Sequence, residues 1–449
     1  MKEYEDFKKN FNQYEPLGLP GNPFSIAPLF RSFKNIRKCE EEEKLFVIPQ
    51  DLKGEIQTLL RMQDRRALIY GLYGVGKTSL VDFILYLAYN FHKRMCLRVV
   101  ITEDNVERAI QEMLLTVCFE ILSEISSQSL LHPIIAIKKW LVKYKRSDFI
   151  MENILKLMGN YTESQEQVKT SKKQEGLKGS LGIIEGNYSF SEELAVRKSI
   201  QSYVEILSMR QVAEYLEDFS HIVQQLGFQD IIVYIDEADH LNRLDLFLNM
   251  LTRAREVLFA SGYTFFVAGS VEIAKYTESL GTIFDKLIFI PPANYITIAD
   301  ILDRRIKMLA PCLGISNIFE HDVVEILFQK THGVRKSFLR LAENALDIAA
   351  NRGCPRVTVE HISQVLSTVE DKVSSALKET HIRVLQYLGK HDLVSASNLD
   401  FQQHAKVKRV QLRNILEDLL ASGYVKKQTQ GKGIYYQISS QYRPYFNQE

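Results

Sequence analysis

The residues Gly71 to Leu80, GLYGVGKTSL, set glycines at positions 71, 74 and 76 directly ahead of a lysine and a threonine. Glycine frees the backbone to turn sharply and to point N–H groups inward, so Gly71, Leu72, Tyr73, Gly74, Val75 and Gly76 can surround the oxygens of a phosphate chain. Lys77 supplies an ammonium that reaches the phosphates, Thr78 a hydroxyl that ligates Mg²⁺, and Ser79 closes the set. An apolar run, ALIY, precedes the loop, and SLVDFILYLAYNF follows it with apolar residues at helical spacing. The loop therefore lies between a strand and a helix N-terminus, where the helix dipole favours an anion. The pattern predicts a site for ATP, or ADP, with Mg²⁺.

A second stretch, DIIVYIDEADHL from Asp230 to Leu241, is an apolar β run ending in adjacent carboxylates. Alone, such a pair is as well explained by a solvated strand end. Together with the upstream loop it acquires work to do: Asp236 suits holding Mg²⁺ through water, and Glu237 suits orienting and deprotonating the water that attacks a γ-phosphate.

These residues need a scaffold that brings loop and strand end to one edge. The helical stretch DLKGEIQTLLRMQ, the strand RALIY, the loop, its helix and the strand MCLRVVIT make the opening of a parallel α/β sheet. Helical stretches follow from about 104 to 160. Residues 161–192 are polar and carry Glu185-Gly186-Asn187 between alternating runs, which predicts an inserted hairpin. A helical run near 193–226 returns to the core. Ahead of all this, GLPGNPFSIAPLF has too many prolines for a helix and predicts an extended segment lying across another domain.

The chain has 449 residues, 46% apolar, with a net charge of +1. That length allows about three domains, and the near-zero charge means that any nucleic-acid surface is local. The start, MKEYEDFKKNF, is too charged for a signal peptide, and no apolar run approaches the about 18 residues of a membrane span. A soluble cytoplasmic protein that makes no membrane contact is the expectation, with association with the nucleoid left open. Cys39, Cys96, Cys118, Cys312 and Cys354 are scattered, which argues against a disulfide framework or a zinc site.

The loop, IIVYIDEADHL, the buried-strand pattern YTFFVAGS and THGVRKSFLRLAENALDIAA together resemble the AAA+ ATPases, in particular the initiator clade of origin-recognition and replication-initiation proteins of archaeal or plasmid type. The resemblance runs from about residue 20 to the end. It implies an α/β AAA+ core with a parallel sheet, then a helical lid and a winged-helix domain. It also implies ATP hydrolysis, assembly on duplex DNA, and association with further copies or with a partner AAA+ subunit. Ser270 matches the family's γ-phosphate-sensing strand end, and Arg335 the lid arginine that acts as second sensor, although His332 replaces the usual small residue before it. Where the family carries an arginine finger, LGTIFDKLIFIPP offers Asp285 and Lys286 instead, so slow hydrolysis is expected, or a finger from Arg253 or Arg255.

On this reading residues 1–50 are an N-terminal segment packed on the core, 51–293 the nucleotide-binding core, 294–371 the lid and 372–449 the winged helix. From Lys372 onward, twelve Lys and Arg face six Asp and Glu, so the charge excess of this region is well above that of the whole chain. Lys406, Lys408, Arg409 and Arg413 crowd the start of the expected recognition helix, and Lys426, Lys427 and Lys432 border the wing turn. A duplex-binding face is the functional reading, a solvated helix face the bland one. Two further functions remain open: a signalling or defence ATPase of the STAND kind whose winged helix packs internally, and a transposition or partition regulator.

Overall fold

The computed structural model describes residues 12–100, 227–236, 262–271, 280–391, 393–430, 433–439 and 442–446, with isolated positions between 116 and 224. The described residues fall into two units, one built on Gly54–Tyr70 with Leu80–Phe289, the other on the N-terminal part to Lys53, Gly71–Ser79 and Ile290 onward.

The first unit holds helix α2 (Lys53–Arg61) from Gly54 onward and a five-stranded sheet of β1 (Arg66–Tyr70), β2 (Met95–Val100), β3 (Ile231–Asp236), β4 (Tyr263–Gly269) and β5 (Lys286–Phe289). Strand order is β2-β3-β4-β1-β5, and every pairing is parallel. Strands β3 and β4 are buried at every position, as the centre of a sheet covered on both faces requires, and their sequences IIVYID and YTFFVAG are correspondingly apolar. Helix α3 (Lys77–Phe91) buries Leu80 to Tyr86 without interruption, so it is a core helix rather than a surface one. At the amino end of the sheet Arg94 is 1% exposed. Its Nε donates to Asp230 Oδ1 at 2.5 Å, Nη1 to the Leu60 carbonyl at 3.1 Å, and Nη2 to the Met62 carbonyl at 2.6 Å and Thr264 Oγ1 at 3.0 Å.

The second unit contains α1 (Ile36–Leu45) and then α4 (Tyr295–Leu309), α5 (Ile315–Ile318), α6 (Val323–Thr331), α7 (Arg335–Asn351) and α8 (Val359–Ala376). After these come α9 (Glu379–Lys390), β6 (Val394–Ser395), α10 (Leu399–Ala405), α11 (Arg409–Ala421), β7 (Val425–Gln430), β8 (Gly433–Ile438) and α12 (Arg443–Phe446). The three short strands form an antiparallel sheet in the order β6-β8-β7. Helices α9 to α11 with the β7–β8 hairpin are the winged-helix arrangement. Asn398 caps α10 by accepting from the Phe401 N–H at 3.0 Å, and Gly389 in α9 lets the Phe446 carbonyl approach where a Cβ would lie 2.3 Å away.

One hydrophobic cluster runs without a break from Leu17, Leu19 and Phe24 through α4, α6, α7 and α8 into α9, α11 and α12. The proline-rich segment forms no helix between Gly18 and Asn35 and instead lies on the lid helices: Asn22 donates to Asp347 at 2.8 Å, and Arg305 Nη1 donates to the Ser25 carbonyl at 2.9 Å. Helix α8 continues through position 372 and ends at Ala376, and α9 begins at Glu379. The inserted region 161–192 lies outside the described residues. Among the described residues no helix is long and apolar enough to cross a membrane, and Cys39, Cys96, Cys312 and Cys354 form no disulfide.

Candidate nucleotide site

Strand β1 ends at Tyr70 and α3 begins at Lys77, so the loop occupies the predicted place between strand and helix. Gly74 and Gly76 have φ of +84° and +101°, which L side chains rarely adopt, and a Cβ on Gly71 would meet the Ile290 carbonyl at 2.5 Å. The glycines are therefore demanded by the backbone path and by close packing. Val75 is buried and anchors the loop, while Tyr73 is exposed. Lys77 Nζ folds over the loop and donates to the carbonyls of Gly71 at 2.9 Å and Leu72 at 3.2 Å. Thr78 is half-buried in the first turn of α3. Ser79 Oγ accepts from the Leu29 N–H at 3.2 Å, which ties the N-terminal segment to the loop.

The start of α7 lies against this loop. The Lys336 N–H donates to the Gly74 carbonyl at 3.0 Å, and a Cβ on Gly76 would lie 3.1 Å from Arg335 Nη1. Arg335 Nε and Nη2 are shut off from solvent and have no hydrogen-bond partner. Burial lowers the Arg335 pKa to about 10, against a smaller opposing pull from Asp51, so the group stays charged at neutral pH. A buried charged fork with two unsatisfied donors, set on a glycine loop at a helix start, is matched to an anion such as a phosphate oxygen. The residues present thus fit a bound nucleotide.

In the sheet unit Asp236 ends β3, opposite Val100 of β2. It is 2% exposed. Its Oδ1 accepts from the Tyr234 hydroxyl at 2.7 Å, and its Oδ2 accepts from Arg98 Nη2. Arg98 Nη1 reaches the fully buried Asp82 of α3 at 2.9 Å. Burial disfavours the Arg98 charge, but Asp82 and Asp236 outweigh that and hold its pKa above the ordinary value. Ser270 is half-buried and directly follows β4, whose last residue Gly269 pairs with Tyr70 of β1. Asp236 and Ser270 therefore both stand at the carboxyl edge of the sheet. Among the described residues no group of three or more His, Cys, Asp or Glu side chains could hold a metal alone. Glu237 lies outside the described residues, as do Arg253 and Arg255. At the place of an arginine finger, Asp285 accepts from the Arg66 N–H at 2.8 Å and pairs with its guanidinium, and Lys286 begins β5.

The basic residues of the winged helix have separate positions. Lys406 is the left-handed residue closing α10, with φ of +54°, and Lys408 is the N-cap of α11. Lys408, Arg409, Val410 and Arg413 are exposed along the first turns of α11. Lys427 is not a free cation: its Nζ donates to Glu417 Oε1 at 2.7 Å, and the Tyr436 hydroxyl donates to the same oxygen at 2.9 Å, so it fastens β7 to α11. Lys426 Nζ lies 5.1 Å above the ring of Tyr73, and Lys336 Nζ meets the Tyr73 hydroxyl at 2.8 Å. Lys432 lies outside the described residues. Sequence reasoning missed Asp82, Arg98 and Lys336; for the first two, a single charge inside the apolar runs SLVDFIL and MCLRVV was the available signal.

Parallel sheet, glycine loop between strand and helix, and a C-terminal three-helix arrangement with a β hairpin define an α/β fold with an appended winged-helix arrangement. The stretches GLYGVGKTSL and IIVYIDEADHL are the ones in which the sequence resembles AAA+ ATPases. No protein-family model matches it. An uncharacterized HTH-type transcriptional regulator of Methanocaldococcus jannaschii is 20% identical over 280 residues, spanning 58% of this chain and 67% of that one. Among solved structures, the ORC1 protein of Aeropyrum pernix in complex with DNA is similar at 16% identity, covering 88% of this chain and 90% of that one with a TM-score of 0.42. A Walker-type ATPase of Pyrococcus abyssi is similar at 16% identity, with 95% and 99% covered and a TM-score of 0.44. Cdc6p of Pyrobaculum aerophilum is similar at 13% identity, with 90% and 96% covered and a TM-score of 0.39.

Proposed function

We propose that this protein is an ATP-dependent switch or loader on duplex DNA, in which nucleotide at the glycine loop governs how the winged helix engages DNA. The observation that carries the reading is Arg335, a charged guanidinium resting on Gly76 with two orphaned donors at the start of a lid helix. Bound Mg²⁺ would neutralise phosphate charge, held by Thr78 and through water by Asp236. The loop backbone and Lys77 bind the phosphates, Ser270 and Arg335 respond to the γ-phosphate, and Glu237 handles the attacking water. Hydrolysis is slow, since Asp285 and Lys286 stand where a finger would be.

Arg335→Ala tests the sensor. Hydrogen bonds to charged groups contribute about 1.5–3 kcal/mol, so the variant should lose about 10- to 100-fold of its preference for ATP over ADP. Titration with fluorescent ATP and ADP reads this directly, and undiminished discrimination rules Arg335 out.

The DNA half of the proposal rests on the exposed cations of α11. Reversing Lys408 and Arg409 to glutamate should weaken duplex binding while ATP binding stays intact. Each lost phosphate contact should make the slope of log affinity against log salt shallower by about 0.9. An unchanged affinity across a salt series would reject α11 as the DNA face. A second reading, a signalling ATPase whose winged helix is an internal packing element, is favoured by one feature: lid and winged helix share a continuous core. An unchanged affinity in the reversed variant would select it.

A further inference from the structure

Helix α11 turns Leu412, Ile415, Leu416 and Leu419 inward. At about 3.6 residues per turn, the direction opposite that stripe falls on Val410 and, one turn later, on Asn414, with Arg413 and Gln411 on either flank. All four are exposed, Val410 to 74%. The next outward position is Glu417, whose carboxylate already accepts from Lys427 and from the Tyr436 hydroxyl. The outward face ahead of it is short, and it carries one apolar residue among cations and amides.

These side chains divide by chemistry. Lys408, Arg409 and Arg413 are exposed cations suited to phosphate oxygens, and phosphates carry no sequence information. A valine has nothing to offer a phosphate. With the cations holding the helix against a duplex backbone, Val410 is carried toward the base edges, where the apolar group on display in the major groove is the C5-methyl of thymine. Asn414 presents an acceptor and a donor side by side, the complement of the N6–H and N7 of adenine in the same groove. The minor groove shows neither feature. Positions 410 and 414 lie about 6 Å apart along the helix axis, roughly two base-pair steps.

We propose that α11 reads base edges in the major groove, with Val410 set on a thymine methyl and Asn414 paired with an adenine about two steps away. The duplex this protein takes is then chosen by sequence as well as by charge. The inference rests on the reading of α11 as the DNA face and goes beyond it by naming the bases.

The experiment starts with selection from a random duplex library by the full chain in ATP and Mg²⁺. The selected duplexes should share a thymine and an adenine at a fixed short spacing. On such a duplex, replacing the thymine by uracil, which lacks only the methyl, should weaken wild type about fourfold. Val410→Ala should bind the two duplexes equally. Replacing the adenine should cost wild type about 5- to 100-fold, and Asn414→Ala should lose that discrimination. Both side chains are exposed, so both variants should melt and bind ATP as wild type does. The proposal falls if the selected duplexes share no bases, or if either variant discriminates as wild type does. Salt-dependent binding to all duplexes alike would overturn base reading and leave the DNA switch standing, whereas no duplex binding even at low salt would remove both.

Discussion

Lys77→Ala is expected to abolish nucleotide binding at accessible concentrations while the protein stays folded. In the structure Nζ satisfies itself on the carbonyls of Gly71 and Leu72, contacts within a loop whose shape is already set by Gly74, Gly76 and the buried Val75. The path of the loop is thus set by residues other than the ammonium. Toward a nucleotide the balance differs, because two charge-assisted bonds to phosphate oxygens disappear at about 1.5–3 kcal/mol each, a loss of at least about a hundredfold in affinity. Fluorescent-nucleotide titration beside a thermal melt separates the two outcomes. A variant that melts like wild type and still binds ATP with comparable affinity would show that the loop does not hold phosphate.

The largest effect on stability is expected at the other end of the sheet. Arg94→Met should destabilise by about 3–5 kcal/mol, the usual consequence of leaving the partner of a buried ion pair uncompensated. Asp230, 5% exposed, would lose its guanidinium, and the carbonyls of Leu60 and Met62 would lose donors in the same step. These groups join the chain after α2, the entry of β2, the entry of β3 and Thr264 of β4, so one side chain fastens four segments. Adding Asp230→Asn should return part of the loss by removing the stranded charge. Denaturant unfolding of both variants decides it, and a loss near 1 kcal/mol for Arg94→Met would mean that water reaches Asp230.

How far the sequence could be read follows from where the signals are local. The loop announces itself because its glycines, lysine and threonine are adjacent and because strand and helix patterns flank it. The lid helices 295–309, 323–331, 335–351 and 359–376 and the three helices of the winged domain follow from apolar periodicity. Short elements escaped: α5 with four residues and β6 with two are too brief for any period, and α12 is held by its packing on α9. Side-chain partnerships escaped for a different reason. Nothing local in YVKKQ distinguishes Lys426, over Tyr73, from Lys427, on Glu417; their alternation in β7 sends them to opposite faces, and only the partner strand and helix determine what each face meets. Arg335 could be placed on a helix start by pattern, but its orphaned donors exist only because the fold carries it onto Gly76.

Tyr73 occupies one of the positions that the G-x-x-x-x-G-K-[ST] pattern leaves unspecified. Its side chain is free to serve a different end, and it meets Lys336 from the lid and Lys426 from the wing. Linkage makes any such contact reciprocal: whatever nucleotide does to the wing through this ring, a ligand on the wing does to nucleotide affinity by the same factor. Selection acting on this single residue would therefore strengthen, weaken or erase any coupling between loop and wing while leaving Lys77 and the loop glycines untouched. Lineages that share the loop could differ in responsiveness without differing in chemistry.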